Sequence, residues 1–191
     1  MGSGQGELAT KLAGDGYDVV AIDPEAPEGS IFRRVSVEEF DGESLFDAVI
    51  ASVSLHHVED LEAALDRISA LLRPGGLLVL EEFAKERLTG HTARWYFHQR
   101  HARAAVGEGE SDLPAAFDDW YRLWGEHHSD IHTLAEMREQ LGRRFLERHR
   151  EWVPYLYDYW LDDSLEQLER ELIERGAIDA TGWRYAGERP G

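Results

Sequence analysis

A short glycine-rich turn that precedes a helix can bind the polar part of a ligand through its exposed backbone N–H groups. The chain has such a turn at residues 2–6 (GSGQG), directly before a helical pattern. Further on, Asp23 ends a short apolar run and is followed by Pro24. A carboxylate in that position can accept hydrogen bonds from both hydroxyls of a ribose. The spacing therefore indicates a nucleotide-type ligand, although Asp23-Pro24 is also consistent with a plain turn at the end of a strand.

A second group of reactive side chains follows two later apolar runs. His56 and His57 come shortly after the run at residues 46–52, and Glu81 and Glu82 end the run that starts at residue 77. Imidazole can accept a proton near neutral pH, so His57 could activate a hydroxyl, or it could instead pack against a sheet. Neighbouring residues of a strand point to opposite faces, so we expect at most one of the two glutamates to face a site. This argues against a catalytic carboxylate pair.

Histidines and aromatic residues are concentrated in the second half of the chain. His127, His128 and His132 have a spacing that could bind zinc on a helix, but a polar helix end is the commoner explanation, and we predict no metal site. Core packing is the default for the aromatic residues, and we expect Tyr155 or Tyr157 to reach a substrate pocket. The aromatic set comprises Trp95, Tyr96, Trp120, Trp124, Trp152, Tyr155, Tyr157, Tyr159 and Trp160.

The elements that must position these residues alternate between strands and helices. Apolar periodicity predicts helices at residues 7–13, 59–72, 92–105, 114–128, 133–143 and 164–175. Strands are predicted at residues 18–22, 31–37, 46–52, 77–81, 145–155 and 181–186, with Pro74-Gly75-Gly76 ending the second helix. This alternation predicts an α/β fold with parallel strands and a ligand site at their carboxyl ends.

Length and composition limit the classes of function. The 191 residues suit a single domain, and the net charge of −18 argues against binding nucleic acid or anionic membranes. The chain has no cysteine, which excludes thiolate metal sites and cysteine nucleophiles. Without a leader pattern or a long apolar run, the sequence predicts a cytoplasmic protein with a small-molecule substrate.

The turn, Asp23 and the segments FDAVIASVSLHHV and LLRPGGLLVLEE together resemble, in this order, the class I S-adenosylmethionine-dependent methyltransferases over residues 2–83. The resemblance implies a Rossmann-like sheet of strand order 3-2-1-4-5-7-6, flanked by helices, in one domain of residues 1–191. Residues 84–131 would form a helical insertion or cap after strand 5. The cofactor would be S-adenosyl-L-methionine.

The resemblance also assigns residues to the site. His56 and His57 would face the substrate, and His57 would take the proton of an alcohol or phenol. Ser36 stands where the family has an acid, which weakens the adenine contact implied for its two neighbours. The implied cofactor-binding residues are Gly2, Ser3, Gly4, Asp23, Pro24, Val37, Glu38, Ala51, Ser52 and Val53.

The family's first strand would precede Gly2, where this sequence has only Met1. We therefore expect a start assigned too late, and a protein that transfers a methyl group to an oxygen, nitrogen or carbon of a small molecule. The alternative is a truncated or non-catalytic protein that acts as a binding or scaffold module, such as a homodimer paired through its sheet edges. A nicotinamide-dependent oxidoreductase is disfavoured by the glycine spacing.

Overall fold

The computed structural model describes residues 1–43, 45–110, 112–159 and 161–191. The chain forms two compact units. Unit 1 comprises residues 1–82, 135–150 and 184–191, and unit 2 comprises residues 83–134 and 151–183. The predicted insertion at residues 84–131 belongs to unit 2, while the prediction of a single domain stays a prediction.

Helices and strands follow each other in the order that the apolar periodicity predicts. The helices are α1 (Glu7–Gly14), α2 (Leu61–Leu71), α3 (Gly90–Ala105), α4 (Phe117–His127), α5 (Leu134–Arg144) and α6 (Glu166–Glu174). The strands are β1 (Ala21–Ile22), β2 (Phe32–Arg33), β3 (Phe46–Ser52), β4 (Leu72–Phe83), β5 (Leu146–Val153) and β6 (Gly182–Glu188). Short 3₁₀ turns occur at Leu55–His57, Lys85–Arg87 and Asp163–Leu165.

The strands form a two-stranded and a four-stranded sheet. Strands β1 and β2 are parallel, and the larger sheet has the order β3-β4-β6-β5 with β3 and β4 parallel. Strand β6 runs antiparallel to β4, because Gly75 donates to Arg189 O while Ala84 donates to Thr181 O. The predicted α/β fold is thus confirmed, with a mixed sheet. The larger sheet has the order predicted for its members, and the full seven-strand order stays a prediction.

Residues 1–3 lie between the two sheets. The amino group of Met1 donates to Ile50 O on β3 at 2.6 Å, and the N–H of Ser3 donates to Ile22 O on β1 at 3.3 Å. Burial lowers the pKa of the Met1 amino group to about 6. These bonds fix the glycine-rich turn next to the carboxyl ends of β1 and β3.

Three strand predictions are corrected. The runs at residues 18–22 and 31–37 form strands only at Ala21–Ile22 and Phe32–Arg33, and Val20 is exposed. Strand β4 begins at Leu72, not at residue 77, so Pro74-Gly75-Gly76 lies inside it. Arg189 donates to Gly76 O and accepts from Gly75, which extends the strand. The register moves from Phe46↔Leu72 to Ala48↔Leu77, so the Pro-Gly-Gly segment forms a bulge.

Helix α2 of unit 1 buries its apolar face. Its N-terminus is capped by Asp60, whose side chain accepts the N–H of Ala63 at 3.0 Å. The residues that it buries recur three or four positions apart, as the sequence predicts: Leu61, Ala64, Leu65, Ile68 and Leu71. None of the described helices has the length and apolar character needed to cross a membrane.

Candidate active site

The glycine-rich turn is held in a backbone conformation that favours glycine. Gly2, Gly4 and Gly6 have φ angles of +63°, +48° and +84°. A Cβ on Gly2 would lie 2.2 Å from the Cβ of Ser54, and one on Gly6 would lie 2.4 Å from the Phe32 ring. Glycine at position 2 therefore permits the turn to touch the segment that follows β3.

Asp23 is joined to this turn by hydrogen bonds. Its Oδ2 accepts the N–H of Gly4 at 3.0 Å, and its Oδ1 accepts the N–H of Glu25 at 2.8 Å. Each carboxylate oxygen has two lone pairs, so both oxygens can also accept from a ligand. The structure thus brings together the turn, Asp23 and Ser54, while Pro24 is exposed beside them.

Two serine hydroxyls at this place are buried without a hydrogen-bond partner. Neither Ser3 Oγ nor Ser54 Oγ has one in the part of the chain that the structure describes. A buried hydroxyl without a partner destabilises the fold, and a polar ligand would remove this cost. The residues of the turn and of the loop after β3 therefore fit a polar, nucleotide-type ligand.

The segment after β3 makes a strained turn. Ala51 is buried and Ser52 is exposed. Among the described residues, Val53 is the only non-glycine residue with a positive φ, at 47°. A β-branched residue in this region is strained, and such strain often accompanies functional sites. The N–H of Val53 donates to Glu81 O at 2.7 Å, which ties the turn to β4.

Beneath this turn lies a buried pair of ionisable side chains. Glu82 is fully buried and His56 is 4% exposed, with 2.5 Å between His56 Nδ1 and Glu82 Oε2. Glu82 Oε1 also accepts the N–H groups of Ser54 and Leu55 at 3.0 and 2.6 Å. Glu81 points away and accepts from Arg184 at 2.6 Å, which confirms that only one of the two glutamates faces this place.

His57 has different surroundings from His56. Its side chain is exposed, and its ring centroid lies 4.1 Å from that of His56. Both histidines belong to the 3₁₀ turn Leu55–His57. His57 is therefore the one of the two that solvent or a substrate can reach most readily, and its predicted role as proton acceptor stays a prediction.

Comparison with known families decides the family of this chain. A family model described as "Methyltransferase domain" matches residues 1–146. The chain belongs to the class I S-adenosylmethionine-dependent methyltransferases. The cofactor of this family is S-adenosylmethionine, and the glycine turn, Asp23 and the two unpartnered serine hydroxyls fit it.

Two curated relatives match part of this chain. An uncharacterised methyltransferase of Mycobacterium tuberculosis is 31% identical over an alignment of 110 residues, with 50% of this chain and 56% of the relative covered. A ubiquinone biosynthesis O-methyltransferase of Bradyrhizobium sp. is 34% identical over an alignment of 93 residues, with 42% of this chain and 37% of the relative covered. The chain thus spans 56% and 37% of the two proteins that it matches.

A solved structure shares the fold of this chain. The 1,6-didemethyltoxoflavin-N1-methyltransferase of Burkholderia thailandensis has a TM-score of 0.56 and 20% identity, with 100% of this chain and 69% of that chain covered. That crystal structure contains 1,6-didemethyltoxoflavin and S-adenosylhomocysteine. At this identity the similarity concerns the fold alone.

The remaining cofactor residues named from the sequence follow β2 in unit 1. Val37 is buried and Glu38 is half-buried. They lie in a turn in which the N–H of Glu39 donates to Ser36 Oγ at 3.3 Å. The contact of Val37 and Glu38 with an adenine stays a prediction.

Tyr155 and Tyr157 belong to a segment of unit 2 that is held by one carboxylate. Glu169 accepts the N–H groups of Tyr155, Leu156 and Tyr157 at 2.9, 3.1 and 2.8 Å. Burial raises the pKa of Glu169 against the effect of these three bonds, which lower it. Tyr155 is buried and stacks on Phe83 with 5.0 Å between ring centroids. Their place in a substrate pocket stays a prediction.

The other aromatic residues and histidines of unit 2 mostly pack against one another. Tyr96 and Trp120 are buried, as expected for core residues, and Trp160 lies outside the described residues. His128 lies 2.7 Å from Trp124 O through Nδ1 and 2.8 Å from Tyr159 Oη through Nε2. Within the described ranges, no group of three or more His, Asp or Glu side chains could hold a metal ion.

Sequence reasoning did not predict that the carboxylates of Glu82 and Glu169 are buried and hold neighbouring segments by accepting their backbone N–H groups. For Glu82 the alternation of side chains along a strand predicted that one glutamate points inward, but not which one. For Glu169 the sequence contains no signal, because a glutamate in an amphipathic helix is normally exposed.

Proposed function

We propose that this chain transfers the methyl group of S-adenosylmethionine to an oxygen, nitrogen or carbon atom of a small molecule. The observation that carries the proposal is the meeting of the glycine turn, Asp23 and Ser54 at the carboxyl ends of β1 and β3. Names of similar proteins support both oxygen and nitrogen as acceptors, since they include an O-methyltransferase and an N-methyltransferase. A small molecule is favoured over nucleic acid because the chain has a net charge of −18.

Different residues of unit 1 would bind different parts of S-adenosylmethionine. Asp23 would accept hydrogen bonds from the ribose hydroxyls, and the glycine turn would adjoin the methionine part. The N–H groups of Ser3, Gly4 and Gly6 already donate within the chain, to Ile22 O, Asp23 Oδ2 and Ser3 O. The hydroxyls of Ser3 and Ser54 supply further polar contacts. Residues 51–53 would adjoin the sulfonium, and Val37 and Glu38 would adjoin the adenine. Burial of His56 and Tyr155 argues against their facing the acceptor, and the predicted place of Tyr157 in a substrate pocket stays a prediction.

When bound, S-adenosylmethionine supplies an electrophilic methyl group, which an in-line displacement transfers as the carbon–sulfur bond breaks. Much of the rate can come from holding the acceptor in line with this bond. An acceptor that is already deprotonated needs no base. For an alcohol or phenol, His57 takes the proton that the oxygen loses.

Calorimetry with S-adenosylhomocysteine tests the proposal. The chain should bind it with micromolar affinity, and Asp23→Asn should weaken binding about 10- to 160-fold, which corresponds to about 1.5–3 kcal/mol for hydrogen bonds to a charged group. Asp18→Asn is the matched control, because Asp18 is an exposed carboxylate before the same strand. We expect its affinity to equal that of the wild type.

Absence of binding by the wild type would favour the alternative of a non-catalytic module, which the comparisons do not favour. Equal affinities of the two variants would remove Asp23 from the cofactor site. The homodimer and the cytoplasmic location stay predictions.

A further inference from the structure

The carboxylate of Glu82 is a buried ionisable group for which methyl transfer has no direct use. It lies beneath the segment that carries both histidines, and it accepts two backbone N–H groups through one oxygen. Its other oxygen lies 2.5 Å from His56 Nδ1. One side chain of β4 thus holds the backbone of Ser54 and Leu55 and the ring of His56.

The pattern of donors determines which ring nitrogen of His56 carries the proton. Backbone N–H groups can only donate, so Glu82 Oε1 accepts both of these bonds and carries no proton. With Oε2 as an acceptor as well, Nδ1–H of His56 donates the remaining bond. In the neutral ring, Nε2 is left as the hydrogen-bond acceptor.

Glu82 also holds a segment that is strained. Val53 has a φ of 47°, and the two N–H groups bound by Glu82 belong to the next two residues. A strained conformation persists when the surrounding bonds over-determine it. Ser54 lies against Gly2 of the glycine turn, and the His57 ring packs on the His56 ring. Glu82 therefore supports the segment both where it meets the glycine turn and where it carries His57.

We propose that Glu82 is a positioning residue: it sets the Nδ1–H tautomer of His56 and holds the turn Leu55–His57 so that His57 faces the acceptor. This inference rests on the proposed methyl transfer for its purpose. The tautomer and the bonding of the turn can nevertheless be measured without any acceptor or cofactor.

The substitution Glu82→Gln, with Glu81→Gln as the matched control, tests the proposal. The amide of glutamine presents an N–H where the carboxylate accepts a proton, which favours the opposite histidine tautomer. Nitrogen-15 NMR of the neutral imidazole should show Nδ1–H for His56 in the wild type and in Glu81→Gln, and Nε2–H in Glu82→Gln. An Nε2–H tautomer in the wild-type protein overturns the proposal, and that measurement needs no variant to fold.

Amide hydrogen exchange tests the hold on the turn. Exchange at Ser54 and Leu55 should become at least about tenfold faster in Glu82→Gln than in Glu81→Gln, because a neutral amide oxygen replaces the charged acceptor of both N–H groups; tenfold corresponds to about 1.4 kcal/mol of local stability. Unchanged exchange overturns this part of the proposal. In a Val53→Gly background the strain is absent, so the effect of Glu82→Gln should be smaller.

The two proposals fail in different measurements. If the wild type shows the Nδ1–H tautomer but does not bind S-adenosylhomocysteine, the proposed function is wrong and the bonding role of Glu82 stands without its catalytic purpose. If S-adenosylhomocysteine binds and the tautomer is Nε2–H, the proposed function stands and the positioning role is wrong.

Discussion

Replacing Gly2 by alanine should damage the site much more than the same change at Gly4. Both glycines have a positive φ, so either alanine costs about 1–2 kcal/mol for a left-handed conformation. A Cβ on Gly2 would also lie 2.2 Å from Ser54 Cβ, whereas ordinary contact begins at 3.4 Å. The glycine turn and the Ser54 segment must therefore move apart by about 1.2 Å. A Cβ on Gly4 meets nothing within 4 Å. Overpacking of this kind costs about a further 1–3 kcal/mol.

The two variants are compared by calorimetry with S-adenosylhomocysteine and by urea unfolding. Gly2→Ala should bind about 5- to 160-fold more weakly than Gly4→Ala, or lose the same free energy in stability if the turn moves away from Ser54. Equal losses in the two variants would refute the reasoning, because they would show that only the backbone conformation matters. A Gly2→Ala variant with wild-type affinity and stability would refute it as well.

Two further substitutions test residues in each unit. His57→Ala should slow methyl transfer to an alcohol or phenol by about 10²- to 10⁴-fold without changing the affinity for S-adenosylhomocysteine, and a rate equal to that of the exposed control His91→Ala would remove His57 from the mechanism. Glu169→Gln should change how stability depends on pH. Burial raises the pKa of Glu169 above its usual 4.5, so its stabilising contribution is complete below about pH 4.5 and is lost as the pH rises through the raised pKa. Urea unfolding should show the wild type losing stability relative to Glu169→Gln over that rise, and parallel pH profiles would contradict this.

Elements whose signal is local could be predicted from the sequence. Strand β3 covers Phe46–Ser52, as predicted, because a short run of apolar and β-branched residues favours a strand, but only Ala51 of its seven residues is buried. Helix α2 begins after Asp60, which caps it, and its apolar residues share one face. The order of motifs likewise sufficed to identify the family, since each motif depends on residues close together in the chain.

The sequence could also name most of the candidate site, but not the contacts within it. Glycines and an aspartate at strand ends are recognisable by type and spacing, and the structure joins Gly4 to Asp23. It does not follow from spacing that His56 is buried on a carboxylate while His57 is exposed. Both histidines are equally polar in the sequence, and their environments depend on Glu82 of β4, which lies 26 residues beyond His56.

By itself the sequence determined the element types, the α/β class, the family and the residues around the glycine turn, because apolar periodicity and short motifs act over a few residues. Only the tertiary structure decided that β4 starts at Leu72, since its first residues are held by Arg189, more than 100 positions later. It also decided that Glu82 faces inward and that Glu169 is buried on three backbone N–H groups. Strand pairing and the hydrogen bonds of buried carboxylates join distant segments, and no local pattern specifies such partners.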